Sequence, residues 1–186
     1  IRLNSSIFLV TYHPVTLCDN DEKSVFNLLE ALSRFPNASI VFTGTNSDAL
    51  GQSISEKMQN FCAQRPHNSV YVPSLGFQNY LSLMRISEVV IGNSSSGLIE
   101  APVVGIPTVN IGLRQRGRPQ APSVIDCVEE TDSIESAVSK ACTPKMKKIS
   151  TNKSTPYGTA GAAKRIAKVL IEADLNRILI KRFYDK

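Results

Sequence analysis

The sequence predicts an α/β fold, a Rossmann-like parallel sheet sandwiched by helices. Three observations carry that expectation. Six short apolar runs alternate with segments of helical spacing, the pattern of repeated strand–helix–strand units. The first run, Ile7-Phe8-Leu9-Val10-Thr11, shows no apolar/polar alternation, as a strand buried on both faces requires. The polar, glycine-bearing loops all follow strands, which gathers them on the one sheet edge where such folds bind ligands.

The elements follow in order. Past the first strand the chain runs through Tyr12-His13-Pro14-Val15-Thr16, and Asp19 to Asp21 offers N-cap chemistry to a helix with Val25, Leu28, Leu29 and Leu32 at helical spacing. Pro36-Asn37 ends it, and Ser39–Thr43 is the second strand. Its loop, residues 44–51, is rich in turn formers and leads to a helix over 53–64. Residues 70–72 form a third strand stopped by Pro73, with a helix over 77–85. The fourth strand, 89–91, runs into Gly92-Asn93-Ser94-Ser95-Ser96-Gly97 and a helix stopped near Gly105. A fifth strand, 107–111, precedes Gly112-Leu113-Arg114-Gln115-Arg116-Gly117-Arg118-Pro119, and 124–126 is the sixth. A helix over 132–142 is expected to be capped by Asp132, residues 145–155 to be irregular, and 160–183 to be helical with a break near Asp174.

Composition bounds the function. A chain of 186 residues, 42% hydrophobic and 20% charged, buries one substantial core. No apolar run approaches the ~18 residues of a membrane span, and no signal-peptide pattern opens the chain, so no membrane partner and a cytoplasmic location are expected. The first residue is Ile1 rather than Met, which suggests a processed chain or a fragment. Four cysteines lie far apart with no C-x-x-C pair, which suits thiols in a reducing compartment. With only His13 and His67 as nitrogen donors, neither a metal site nor another cofactor is expected. The net charge is +5, but no element interleaves basic and aromatic residues, so no nucleic-acid partner is expected.

Four groups carry candidate chemistry. The serine-rich loop places N–H groups and hydroxyls at the positive end of a helix, which suits phosphate. Glu100 follows a few residues on and can accept hydrogen bonds from a sugar diol. A hydrolase elbow around Ser95 would need glycine where Asn93 stands and a later histidine, and none follows. His13, just past a central strand, can donate to a phosphate or a leaving oxygen. Arg114, Arg116 and Arg118 can each pair with phosphate, though not all three are expected to serve one ligand. Asn46 and Asp48 can bind hydroxyls or cap turns.

Taken together, Thr11 to Thr16, Phe42 to Asp48, Ile91 to Pro102 and Val109 to Arg118 resemble, in order and over nearly the whole chain, the hydrolysing UDP-N-acetylglucosamine 2-epimerases of sialic-acid-type pathways. That resemblance implies the C-terminal half of a glycosyltransferase-B-like two-domain enzyme. Residues 1–174 would be the UDP-binding domain, and 175–186 a terminal helix crossing to a missing N-terminal domain that holds the acid/base carboxylates. It implies elimination of UDP from UDP-N-acetylglucosamine, then hydration to N-acetylmannosamine, by an enzyme that is homo-oligomeric at full length and inactive as this piece. By the same resemblance His13 would contact the diphosphate and assist departure of UDP. Ser94 and Ser95 would bind phosphate, Glu100 the ribose hydroxyls and the backbone near Val72 the uracil, with Asn46 and Arg114 completing the nucleotide shell. Alternatives are a UDP-N,N'-diacetylbacillosamine 2-epimerase, a transferase of the same architecture, and a non-enzymatic UDP-sugar-binding module. One departure stands out: the family tends to read Pro-Tyr-Gly-Asp-Gly where this chain has Pro156-Tyr157-Gly158-Thr159-Ala160.

Overall fold

The computed structural model describes residues 6–15, 21–45 and 51–176. Six strands, β1 (Ile7–Thr11), β2 (Ser39–Thr43), β3 (Ser69–Val72), β4 (Val89–Gly92), β5 (Thr108–Ile111) and β6 (Val124–Cys127), form one sheet in the order β3-β2-β1-β4-β5-β6. Every neighbouring pair is parallel. The strand order reverses between β1 and β4, and ligands of open parallel sheets bind at that switch point, outside the carboxyl ends of the strands.

The strands take their burial from residue type. All five positions of β1 and of β2 are buried. Successive side chains leave opposite faces of a strand. Phe8 and Val10 therefore join the core with Phe42, Ile91, Leu28 and Val138, while Leu9 packs with Val90, Met84 and Ala101 on the other side. Helices α1 (Asp21–Ser33), α2 (Gly51–Gln64) and α5 (Thr131–Ala141) cover the first face, and α3 (Gly76–Ile86) and α4 (Ser96–Val104) cover the second. Each fully buried Leu, Ile or Phe contributes on the order of 2 kcal/mol by leaving water.

Two local expectations are corrected. Residues 144–151 are not irregular but form a helix, α6 (Pro144–Thr151). Thr143 caps it by accepting the Met146 N–H at 3.3 Å, and Pro144 supplies the preset φ of a first helical position. Its three lysines masked a short face that buries Met146 and Ser150. The cap of α5 is Glu130, not Asp132. Asp132 sits inside the first turn and pairs with Arg34, 2.8 Å away and just past the end of α1.

Chain contacts divide the molecule after Pro156. The second unit carries α7 (Ala162–Glu172), shorter than the expected helix; it ends at Ala173, beside the predicted break, in extended backbone. None of its residues is buried, and Ile166, Val169, Leu170 and Ile171 are exposed. Residues 177–186, most of the expected terminal helix, lie outside the described residues, as does most of the loop with Asn46 and Asp48.

Candidate functional site

The carboxyl edge of the sheet is a row of short or polar residues. Register pairs Thr43 with Val72, Thr11 with Gly92, Gly92 with Asn110 and Asn110 with Asp126. The Thr11 and Thr43 hydroxyls meet at 2.7 Å across the remaining gap. With strands about 4.8 Å apart, Val72 lies about 10 Å from Thr11 along this row.

At its centre β1 and β4 part. Gly92 has φ +134°, a backbone conformation that side chains rarely adopt. The turn it makes brings Asn93 against the loop after β1. Asn93 Oδ1 accepts the His13 N–H at 2.7 Å and Asn93 Nδ2 donates to the His13 carbonyl at 2.8 Å. Arg114 Nη1 and Gln115 Nε2, both from the loop after β5, donate to the Asn93 carbonyl at 3.1 and 2.8 Å. The segments after β1, β4 and β5 thus converge on one residue, and His13 and Arg114 with them.

The serine loop opens α4. Ser95 is the N-cap residue, and its side chain makes no capping bond. Ser96 Oγ donates to Ser94 Oγ at 3.1 Å and bonds to the Tyr80 hydroxyl at 2.7 Å. A hydroxyl has one proton, so Tyr80 donates in the second contact and Ser94 Oγ acts as an acceptor. Tyr80, on α3, also lies 3.3 Å from Thr11 Oγ1. A line of hydroxyls therefore runs from Thr43 through Thr11, Tyr80 and Ser96 to Ser94.

Glu100 lies one helical turn beyond Ser96, on the same face of α4. Its Oε2 is buried without a hydrogen-bond partner. Burial pushes its carboxyl up from the ordinary range, against a smaller downward pull from a backbone hydrogen bond. A buried acceptor left open is costly unless a donor arrives, and a vicinal diol brings two.

Of the residues singled out from sequence, His13, Ser94, Ser95 and Arg114 meet at the switch point, and Glu100 follows on α4. Val72 ends β3 on the flank, beside a cavity of 330 Å³ lined by Thr43, Gly44, Pro73 and Tyr80 among others. Arg116 and Arg118 are exposed, whereas Arg114 is half-buried; the loop is a run of turns, with the Arg116 and Arg118 N–H groups bonded back to the Leu113 and Gln115 carbonyls, so its turns and not strand alternation separate the three. Asn46 lies outside the described residues. The structure adds Asn93, Gln115 and Tyr80 to this edge. Asn93 and Gln115 stand inside the quoted motifs, but Tyr80 lies in a helix with no local signal. Among the described residues no cluster of three His, Cys, Asp or Glu is arranged to hold a metal ion, and no helix is long and apolar enough to cross a membrane.

Comparison with known proteins places this edge in context. The family model described as UDP-N-acetylglucosamine 2-epimerase matches residues 2–171. A Campylobacter jejuni protein named GDP/UDP-N,N'-diacetylbacillosamine 2-epimerase (hydrolyzing) is 37% identical over 187 residues, covering 100% of this chain and 48% of that protein. The Escherichia coli polysialic acid biosynthesis protein P7 is 36% identical over 185 residues, covering 96% of this chain and 46% of its own. The chain thus spans about half the length of the curated relatives it matches. Among solved structures, the UDP-GlcNAc 2-epimerase of Neisseria meningitidis bound to UDP-GlcNAc superposes with a TM-score of 0.64 at 21% identity, over 93% of this chain and 46% of that one.

Proposed function

The chain belongs to the UDP-N-acetylglucosamine 2-epimerase family, and from that premise we propose that it is the UDP-holding half of a hydrolysing UDP-sugar 2-epimerase. One observation carries the nucleotide assignment: the open, buried Oε2 of Glu100 one turn past the serine loop. A ribose diol donates to that carboxylate. The diphosphate lies over Ser94 and Ser95, within reach of His13 and Arg114. Uracil enters the cavity beside Val72, where main-chain groups past the strand end read its edge. Asn46 closes the nucleotide shell from the loop after β2.

The chemistry follows from where charge develops. Loss of UDP breaks the bond between the sugar's anomeric carbon and the β-phosphate oxygen, and negative charge grows on that oxygen. Preorganised donors there, His13, Arg114 and the Ser94 hydroxyl, favour departure by typically a few kcal/mol each. The group that removes the sugar's C2 proton and the group that directs water onto the glycal belong to the other half of the full-length protein. On this reading the chain alone binds UDP without turnover.

The relative at 37% identity is named for a diacetylbacillosamine substrate. That favours a second reading beside UDP-N-acetylglucosamine, namely a UDP-diacetamido sugar. Full-length protein given each UDP-sugar separately decides, by which one yields free sugar plus UDP without an acceptor. Sugar release that requires an acceptor would make it a transferase instead. Calorimetric titration of the 186-residue chain with UDP tests the binding half: wild type binds and Glu100→Ala binds more weakly. Equal affinities would remove Glu100 from the site, and epimerase activity from this chain alone would refute the division of labour.

A further inference from the structure

We infer that Asn93 is a positioning residue: its side chain replaces the missing rung between β1 and β4 and so fixes His13 over the diphosphate site. This rests on the UDP reading above. The parallel ladder ends where Thr11 pairs with Gly92, with one more bond from Asn93 N–H to the Thr11 carbonyl at 3.2 Å. Beyond it β4 has ended, so the His13 N–H and C=O meet no further rung of this ladder. The Asn93 carboxamide takes both, at 2.7 and 2.8 Å, in the paired pattern that two strands exchange in an antiparallel ladder. The amide can face only one way, since oxygen must meet the N–H and nitrogen the carbonyl. Asn93 is fully buried, and its amide is engaged by the His13 backbone, so it acts on the ligand through His13 and not by contact.

The same residue ties in the third loop. Its carbonyl receives Arg114 and Gln115, so a shift of Asn93 would move His13 and Arg114 together. Residue chemistry explains the choice. Aspartate cannot donate to the His13 carbonyl, serine cannot reach both ends, and glutamine adds a methylene to a filled site. Sequence alone marks Asn93 only as the residue that stands where a hydrolase elbow would need glycine.

The test is a double-mutant cycle on the 186-residue chain, with UDP and uridine as probes. Asn93→Ala should weaken UDP binding about tenfold, the loss of roughly one well-formed hydrogen bond's worth of alignment. Uridine, which lacks the diphosphate, should bind within about twofold of wild type, and in a His13→Ala background Asn93→Ala should change UDP affinity by less than about twofold. A purely structural role would lower both affinities and act equally in both backgrounds, which would overturn the inference. Equal UDP affinity in wild type and Asn93→Ala would overturn it too, leaving the proposed function intact. Wild type that takes up neither UDP nor uridine would remove the proposed function, and the inference with it. Should Asn93→Ala not fold, Asn93→Ser goes through the same cycle with the same expected result; if neither folds, Asn93 is structural and the inference is wrong.

Discussion

Gly92 and Thr11 are paired across the last rung of the β1–β4 ladder so closely that a Cβ on Gly92 would stand 2.0 Å from the Thr11 carbonyl oxygen. That atom belongs to the backbone of a buried central strand and has nowhere to go. The φ of +134° adds strain for any side chain. Gly92→Ala should therefore destabilise the chain by about 3 kcal/mol or more, read as a lower urea midpoint. Gly117→Ala is the control: its φ is also positive, but a Cβ there meets nothing within 4 Å. Its loss should stay within about 1–2 kcal/mol. Similar losses at the two positions would mean that β1 and β4 can spread to admit a methyl group.

The line of hydroxyls makes Tyr80 the link between α3, β1 and the serine loop. Tyr80→Phe removes bonds of 2.7 and 3.3 Å and leaves Ser96 with one donor fewer. The expected cost is about 1–2 kcal/mol of stability, with UDP affinity down by about threefold because Ser94 loses its support. Unchanged stability would show that water replaces the phenol.

Much of this was legible from residue type, and the misses have physical causes. Strands buried on both faces read as unbroken apolar runs, so β1 and β2 were predicted with the observed bounds. Helix α6 was missed because Lys145, Lys147 and Lys148 hide a face only two residues wide, although Thr143-Pro144 is a start signal. Asn93 and His13 are 80 positions apart. Nothing local to either announces their contact, which exists only because β1 and β4 are neighbours. Tyr80 is invisible for the same reason: its partners Ser96 and Thr11 are 16 and 69 positions away.

Glu100 gives the site a pH signature. Its folded carboxyl titrates above the ordinary 4.5 because burial disfavours the charged form. The folded chain thus holds this proton more tightly than the unfolded one. Its contribution to stability is complete below about 4.5 and is lost as pH rises through the raised folded value. Ligand binding runs the other way, since a diol needs the ionised acceptor. Uridine affinity should climb with pH across that window, with uptake of the ligand releasing protons. Calorimetry in two buffers of different ionisation enthalpy measures the release. Glu100→Gln should flatten the profile, and a profile unchanged in that variant would assign the proton elsewhere.

The described thiols should be slow nucleophiles. Burial, with Asp126 and Glu129 adding repulsion, pushes Cys127 up to about 12. Burial chiefly, with Glu88, pushes Cys142 up to about 11. Since the thiolate is the reactive form, iodoacetamide at pH 8 should label both far more slowly in the native chain than in urea. Peptide mapping by mass spectrometry separates them from Cys62 and Cys18. Native labelling of Cys127 as fast as in urea would mean that β6 opens readily.

The three arginines after β5 should divide by salt dependence. Arg114 is half-buried and anchored to the Asn93 carbonyl at 3.1 Å, so its remaining guanidinium donors are held at the switch point. Arg116 and Arg118 are exposed and act on a bound anion only through a screened field. Arg114→Ala should lower UDP affinity about tenfold, as loss of one charge-assisted bond does. That loss should persist in 1 M salt, where the screening length is only about 3 Å. Arg114→Lys should recover only part of it, because an ammonium cannot bond the Asn93 carbonyl and a phosphate with the same fork. The paired variant Arg116→Ala, Arg118→Ala should shift affinity by about twofold at low salt and by nothing measurable at 1 M. Titrations of the variants at two salt concentrations check all of this. A loss from the paired variant that survives high salt would place one of those two arginines in direct contact with the diphosphate and require the loop to turn over on binding.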